Sequence, residues 1–313
     1  MSRLNHGLTI RCPDPAMTVA APHALRIHRD GWRSIEPSPS PEELKAFYSG
    51  VYFQESHGAY AQAYSDVELK HRALLADLML HALAEARGET SGGRLLEIGC
   101  GEGWFFKAAL AAGYAARGLE FSDYGLKRFN PELAGHVEFG DAFEALDRLI
   151  DERAQIDVCV MEHVLEHVLD PQALLARLPA ILAPGGVVAI TVPNDFSAVQ
   201  LRAKALRHID RDVWVAPPQH LNYFNSETLP RLLERMGFEV LGGYASFPID
   251  WFLFHPGSNY VRTPQAGKAV HEARMALDLV MAENGMAAFH GLGKALLACG
   301  AGRSLTVIAR PKA

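Results

Sequence analysis

This 313-residue sequence predicts an α/β fold, a doubly wound and mostly parallel sheet with helices on both faces. Three observations carry that expectation. Between residues 94 and 194 short apolar runs alternate with stretches of helical period, a glycine-rich turn follows the first run, and an acidic residue closes the second. The runs are RLLEIG (94–99), YAARGLE (114–120), HVEFGD (136–141), IDVCVM (156–161) and GVVAITVP (186–193). Between them, WFFKAALAAG and PQALLARLPAIL repeat apolar residues at helical spacing. Strands that alternate with helices form βαβ units, so the strands are expected to run parallel.

The flanks read less regularly. Residues 1 to about 40 are expected to be irregular and to end in a linker, EPSPSPEEL, in which Ser38 or Ser40 starts a helix with Pro41 in its first turn. Helical spacing covers Glu42 to Tyr52 and again about Asp66 to Glu85. Beyond Pro193 a helical excursion, FSAVQLRAKALRHI, precedes a further helix and strand in SETLPRLLERMGFEVLGGYAS, with Ser226 and Glu227 as the helix start and Gly237 as its stop. From Phe247 onward come an aromatic loop (FPIDWFLFHPGSNY), a helical run near 264–283 and a closing strand-like RSLTVIAR, expected to pack on the main domain as an extension. No internal repeat or low-complexity tract is visible.

Composition excludes several classes. With 49% apolar and 21% charged residues, the chain reads as a soluble globular protein. A net charge of −6 and the lack of any dense run of Lys or Arg provide no footprint for a phosphate backbone, so no nucleic-acid partner is expected. Cys12, Cys100, Cys159 and Cys299 contain no C-x-x-C pair, which argues against a disulfide framework or a cysteine zinc site and fits a reducing cytoplasm. The N-terminal stretch is broken by Asn, His, Arg and Pro, and no segment reaches about 18 apolar residues, so neither secretion nor a membrane span is expected.

The most informative motif is LLEIGCGEGWF. Gly99, Gly101 and Gly103 alternate between an apolar strand and a helix, where glycine lets the backbone approach a ligand at the carboxyl edge of a sheet. A dinucleotide fingerprint, G-x-G-x-x-G, would need glycine where Trp104 stands, so a pyrophosphate cradle fits poorly. Glu120 ends the next strand 19 residues after Gly101, placed to accept hydrogen bonds from both hydroxyls of a ribose. The residues thus point to an adenosine-bearing cofactor.

LLEIGCGEG, GLEFS, GDAF and HVLEHVLDP, followed by LAPGGVVAITVPN, resemble the class I S-adenosylmethionine-dependent methyltransferases in order and spacing over about residues 94–194. The flanks DGWRSIEPSPSPEELKAFYSGVYF, PNDFSAVQL, WVAPPQHLNYF and LLERMGFEV are similar to a small-molecule and sugar methyltransferase-like group, extending the resemblance over most of residues 31–245. The resemblance implies a Rossmann-like sheet and S-adenosyl-L-methionine as cofactor. It implies that Glu97, Gly99, Gly101 and Gly103 surround the methionine and ribose, and that Glu120, with Phe121 after it, holds the ribose hydroxyls. Asp141, Ala142 and Phe143 would line the adenine pocket, and Glu162 and His163 would border the reactive end. The expected organisation is an N-terminal extension and linker (1–40), a methyltransferase domain (41–245) and a C-terminal extension packed on it (246–313).

Within MEHVLEHVLDP, His163, Glu166 and His167 spell H-x-x-E-H, the zinc helix of one metallopeptidase class, and on a helix they would share a face. A peptidase site needs a third protein ligand that the sequence does not identify, so no metal is expected. Methylation of a hydroxyl calls for a base, and histidine is the usual one at neutral pH. His220, on a proline-stiffened loop after the fifth strand, is the first choice and His163 the second. Aromatic residues Tyr60 and Tyr64 before the domain, and Tyr223, Phe224, Trp251 and Phe252 after it, could shield the sulfonium or stack on an acceptor. The expected activity is methyl transfer to a hydroxyl of a sugar or other small metabolite. The alternatives are a carbon, nitrogen or carboxylate acceptor, a nicotinamide-dependent oxidoreductase, or a cofactor-binding module without catalysis. Oligomeric state is not legible.

Overall fold

The computed structural model describes residues 24–47, 63–88 and 92–312. It opens on a hairpin, β1 (Ala24–Ile27) and β2 (Arg33–Glu36), where an irregular segment was expected. The turn lies in HRDGW, an Asp-Gly pair that favours tight reversal, but the four-residue strands are too short and too unevenly exposed to show period two. α1 (Pro41–Phe47) follows, and Ser40 and Glu43 exchange backbone hydrogen bonds as a capping box. The expected continuation of this helix to Tyr52, and Tyr60 beyond it, lie outside the described residues. α2 (Asp66–Arg87) starts on a second capping box, Ser65 with Glu68, and stops at Gly88 in left-handed conformation.

The alternating core then runs β3 (Arg94–Ile98), α3 (Trp104–Ala111), β4 (Ala115–Glu120), α4 (Tyr124–Phe129), β5 (Val137–Phe139), α5 (Ala142–Asp151), β6 (Ile156–Glu162), α6 (Pro171–Ile181) and β7 (Leu182–Pro193). All five strands are parallel. α7 (Ala198–Ala205) and the short β8 (Asn222–Tyr223) come next, β8 pairing with β2 in a separate three-stranded sheet. α8 (Thr228–Arg235) begins one residue past the expected start, because Asn225 rather than Ser226 caps it by accepting from Glu227 N and Thr228 N. β9 (Phe238–Ala245), α9 (Gly267–Ala282), α10 (Met286–Ala298) and β10 (Ser304–Pro311) complete the chain.

The main sheet has the order β5-β4-β3-β6-β7-β10-β9. Its direction of winding reverses between β3 and β6, which opens a crevice at their carboxyl ends. The tail beyond residue 245 does more than pack on the domain: β10 runs inside the sheet, antiparallel to both β7 and β9. Burial on both faces is what a parallel sheet requires. Leu96, Ile98, Met161 and Ile190 pack in one layer that includes Leu146, Leu174 and Leu232 from α5, α6 and α8. Leu95, Val158, Val160 and Ala189 pack in the other with Met79, Phe106 and Phe289 from α2, α3 and α10. A third cluster, Ile35, Phe196, Trp214, Leu221, Tyr223 and Leu253, joins the N-terminal hairpin to the segments that follow β7.

The β9–β10 seam is tight at one glycine. A Cβ on Gly243 would overlap the carbonyl oxygen of Thr306, whereas one on Gly242 would meet nothing. Gly243→Ala should therefore destabilise the protein by about 1–3 kcal/mol as overpacking, with Gly242→Ala within about 0.5 kcal/mol of the parent. Urea unfolding of the two variants checks this.

Candidate functional site

The site is built where β3, β4 and β6 end. Gly99 leaves β3 with φ +76, and a Cβ there would collide with Val164 Cγ2 in the turn after β6. Gly103, φ +81, stands before α3, where a Cβ would come within 2.7 Å of Leu126. These two glycines are required by their neighbours, while Gly101 between them acts through its backbone. Its N–H donates to Glu120 Oε2 at 2.7 Å, and Ser122 N–H donates to Glu120 Oε1 at 3.1 Å. Glu120 thus reaches the glycine turn and keeps lone pairs on both oxygens for further donors. Its side chain is buried, and that burial raises its pKa against the backbone hydrogen bonds that lower it.

Glu97, at 3% exposure, has one oxygen, Oε2, with no hydrogen-bond partner. Burial pushes its pKa well up, with Glu162 and Glu120 adding like charge. Glu162 is raised too, by burial against the pull of His163. Three carboxyl groups at the ends of adjacent strands, one with an orphaned oxygen, make a pocket suited to a ligand that brings hydrogen-bond donors and positive charge.

Glu102 anchors the turn from the outside. Its carboxylate accepts from Tyr64 Oη at 2.7 Å and from Trp104 Nε1 at 2.6 Å, with the Arg72 guanidinium 3.5 Å away and 4.0 Å over the Tyr64 ring. Trp104, the residue that breaks the dinucleotide fingerprint, thereby braces the loop. Tyr64 sits against the glycine turn. Tyr223 and Phe224 are fully buried core, not pocket lining, whereas Trp251 is 54% exposed. Asp141 caps α5, its Oδ1 accepting from Phe143 N and Glu144 N, and Phe143 packs on the core with Arg177 5.1 Å over its ring. Phe121, which follows Glu120, is 44% exposed.

The H-x-x-E-H stretch is a turn, not a helix, since β6 runs through Glu162 and His163 adopts φ +56. A left-handed histidine at a strand end is uncommon and favours a functional explanation. His163 Nδ1 lies 3.0 Å from Glu166 Oε1, and its side chain is 47% exposed. Desolvation opposes the charge on His163, but Glu166 outweighs it and raises the pKa. Glu166 is 1% exposed. Burial works against its charge, yet His163, His167 and His220 hold it down to about 2. His167 Nδ1 bonds the carbonyl of Gln219 at 2.6 Å, and His220 stacks edge-on to His167 at 5.0 Å. Burial and His167 push His220 down to about 3, and its Nδ1 has no partner. Donor atoms of Glu166, His167 and His220 lie within 4.8 Å of one another, so His220, expected from the sequence as a base and not as a ligand, does approach this turn. His167 Nδ1 is committed to Gln219, while Glu166 is shared with His163.

Two residues of this site were missed. Asp195, just past β7, accepts from Arg303 at 2.8 Å, and burial pushes its pKa up to about 6 while its Oδ2 lacks a partner. Asn194 fastens the strand end to the tail by donating to Gly300 O and Gly302 O. The pair spans 108 residues, which no local pattern signals. A cleft of about 530 Å³ opens at the opposite edge of the sheet, lined by Arg94, Ala115 and Gln155, away from every residue of this site.

A sheet whose winding reverses at a glycine turn and an acidic strand end defines a nucleotide-cofactor-binding α/β protein. Residues 69–242 match the family described as "Methyltransferase domain", more than half of the chain. The chain belongs to this family and is a class I S-adenosylmethionine-dependent methyltransferase. It is similar to the ubiquinone biosynthesis O-methyltransferase of Bordetella bronchiseptica, 29% identical over 45% of this chain and 60% of that one. Its identity to the same-named protein of Caulobacter sp. is 31%, over 41% of this chain and 51% of that one. The match thus spans little more than half the length of these relatives. Among solved structures, a methyltransferase from Archaeoglobus fulgidus aligns at TM-score 0.47 with 20% identity, covering 76% of this chain and 93% of that one. The 1,6-didemethyltoxoflavin-N1-methyltransferase of Burkholderia thailandensis aligns at 0.49 with 16% identity, covering 95% and 98%. Among the described residues no helix is long and apolar enough to cross a membrane.

The contact between Gly99 and Val164 ties the glycine turn to the histidine turn. Gly99→Ala should cost about 2–4 kcal/mol from overpacking and left-handed backbone together. Adding Val164→Ala should recover the packing part only, as denaturant midpoints of the single and double variants would report.

Proposed function

We propose that the protein transfers the methyl group of S-adenosylmethionine to a hydroxyl of a small-molecule acceptor, a sugar or another metabolite, with a histidine taking the hydroxyl proton. When bound, the cofactor supplies a methyl group on a positively charged sulfur, and the chain's residues do the rest. Glu120 accepts the ribose hydroxyls beside the Gly101 N–H, and Glu97 offers its unpartnered oxygen to the cationic methionine end. Gly99, Gly103 and Glu162 shape the surrounding wall. Phe121, Asp141, Ala142 and Phe143 border the adenine.

The observation that carries the choice of base is the 3.0 Å contact between His163 Nδ1 and Glu166 Oε1. A carboxylate on Nδ1 fixes the tautomer that leaves Nε2 basic, and a raised pKa brings the ring closer to the pH at which proton transfer is efficient. His220 is held near 3, a weak base, and in this reading it positions His167 and Glu166 beneath the acceptor. Support for a hydroxyl acceptor comes from the O-methyltransferase names of the curated relatives, which share the matched half of the chain. The compartment we infer is the reducing cytoplasm, consistent with Cys100, Cys159 and Cys299 as free thiols.

Activity requires His163 neutral, so kcat/KM should fall as pH drops through its pKa, which Glu166 holds above that of an ordinary histidine. Glu166→Gln removes the support and should move that inflection below its wild-type position, while His163→Ala removes the base itself and should lower kcat/KM by roughly 10²–10⁴-fold. The assay is release of S-adenosylhomocysteine against a panel of phenols, sugars, amines and carboxylic acids. Turnover with amines or carboxylic acids alone, or an inflection that Glu166→Gln leaves in place, would contradict the reading.

A further inference from the structure

Away from the methyl-transfer site, α2 and α10 bring together a second set of metal-ligating side chains. His81 and Glu85 stand one helical turn apart on α2, and His290 faces them from α10. One donor atom from each lies within 4.8 Å of the other two. His290 Nδ1 is 3.1 Å from Glu85 Oε2, and the two imidazole rings meet edge to face with centroids 5.3 Å apart.

An interhelical ion pair accounts for part of this arrangement. Lys294 Nζ donates to Glu85 Oε1 at 2.6 Å, which already links the helices. It does not account for His290. That side chain is 5% exposed, its Nε2 has no hydrogen-bond partner, and burial lowers its pKa so that the ring stays neutral, the form that binds metal. Glu85, by contrast, is 51% exposed and gives an ion a path from solvent. Lys294 engages one oxygen of the carboxylate and His290 Nδ1 the other, so an ion would replace the His290–Glu85 hydrogen bond while Oε1 keeps an outer partner that orients the group.

We propose that His81, Glu85 and His290 form a divalent-metal site, best matched to zinc, that staples α10 to α2. Two imidazoles and one carboxylate are a borderline donor set that suits zinc, with water completing a tetrahedron. Bonds of about 2.0–2.2 Å require the donors to close in from their present spacing, which rotation of the less buried His81 and Glu85 toward the fixed His290 supplies. The staple joins the helix that leads into the cofactor strand β3 to the helix that leads into β10. It is separate from Glu166, His167 and His220, and it takes no part in methyl transfer.

The test is calorimetric titration of tag-free, chelator-treated full-length protein with zinc chloride, repeated with cobalt(II) for its absorption bands. We expect one saturable equivalent at this site, a melting temperature that rises with zinc concentration, and at least tenfold weaker binding in His81→Ala and in Glu85→Gln. Glu85→Gln changes a half-exposed side chain, so it answers even if a histidine variant folds poorly. No saturable binding by the wild-type protein would overturn the proposal. So would an equivalent that His81→Ala and Glu85→Gln leave unchanged and His220→Ala abolishes, since that ion would belong to the methyl-transfer site.

Discussion

Glu97, Glu120 and Glu162 stand at the carboxyl ends of three adjacent parallel strands, the first two buried and the third partly so, and holding these like charges together is the constraint around which the molecule is arranged. Like charges in low dielectric are unfavourable unless they are protonated, hydrogen-bonded or met by opposite charge. Glu120 draws its relief from backbone N–H groups of Gly101 and Ser122. Glu97 keeps an orphaned oxygen. In the proposed function, a ligand with a ribose and a cationic methionine end meets these groups with donors and charge of the right sign.

The rest of the fold holds those strand ends in place. Both faces of the sheet are covered, so β3 and β6 cannot slide without exposing Leu95 and Val158 on one side or Leu96 and Met161 on the other. The glycine turn is braced from outside by Glu102, Tyr64 and Trp104, and from inside by the fit of Gly99 against Val164. Through Val164 the cofactor turn touches the turn that carries His163 and Glu166. The glycine turn and the His163–Glu166 turn are therefore positioned by one packing contact and not as two independent loops. β10 adds a further tie, since it runs beside β7 and places Arg303 on Asp195.

Much of this was legible in the sequence because it is local. The strand runs from 94 to 193 appear within a few residues of their expected ends, since apolar period and glycine punctuation act over short windows. Glu120 was legible from its spacing to Gly101, and the hydrogen bond between them is the physical content of that spacing. The H-x-x-E-H turn misled because a pattern that fits a helix carries no information about where a strand ends. β6 continues through Glu162, and His163 turns the chain instead of starting a helix. The β1–β2 hairpin was missed because its four-residue strands are too short to show period two, and its pairing with β8 because that strand lies far along the chain. Asp195 with Arg303, and His290 with Glu85, were invisible for the same reason: each pair is created by the topology of β10 or α10, not by any neighbouring residues.

The central claim is that the glycine turn and Glu120 hold the adenosine of S-adenosylmethionine. Calorimetric titration of the purified protein with S-adenosylhomocysteine, beside a Glu120→Ala variant, tests it most directly. The account predicts saturable one-to-one binding that the variant weakens by roughly tenfold or more, the effect of losing charge-assisted hydrogen bonds worth about 1.5–3 kcal/mol. Well-folded wild-type protein that shows no binding, or a Glu120→Ala variant that binds as tightly as the parent, would contradict it.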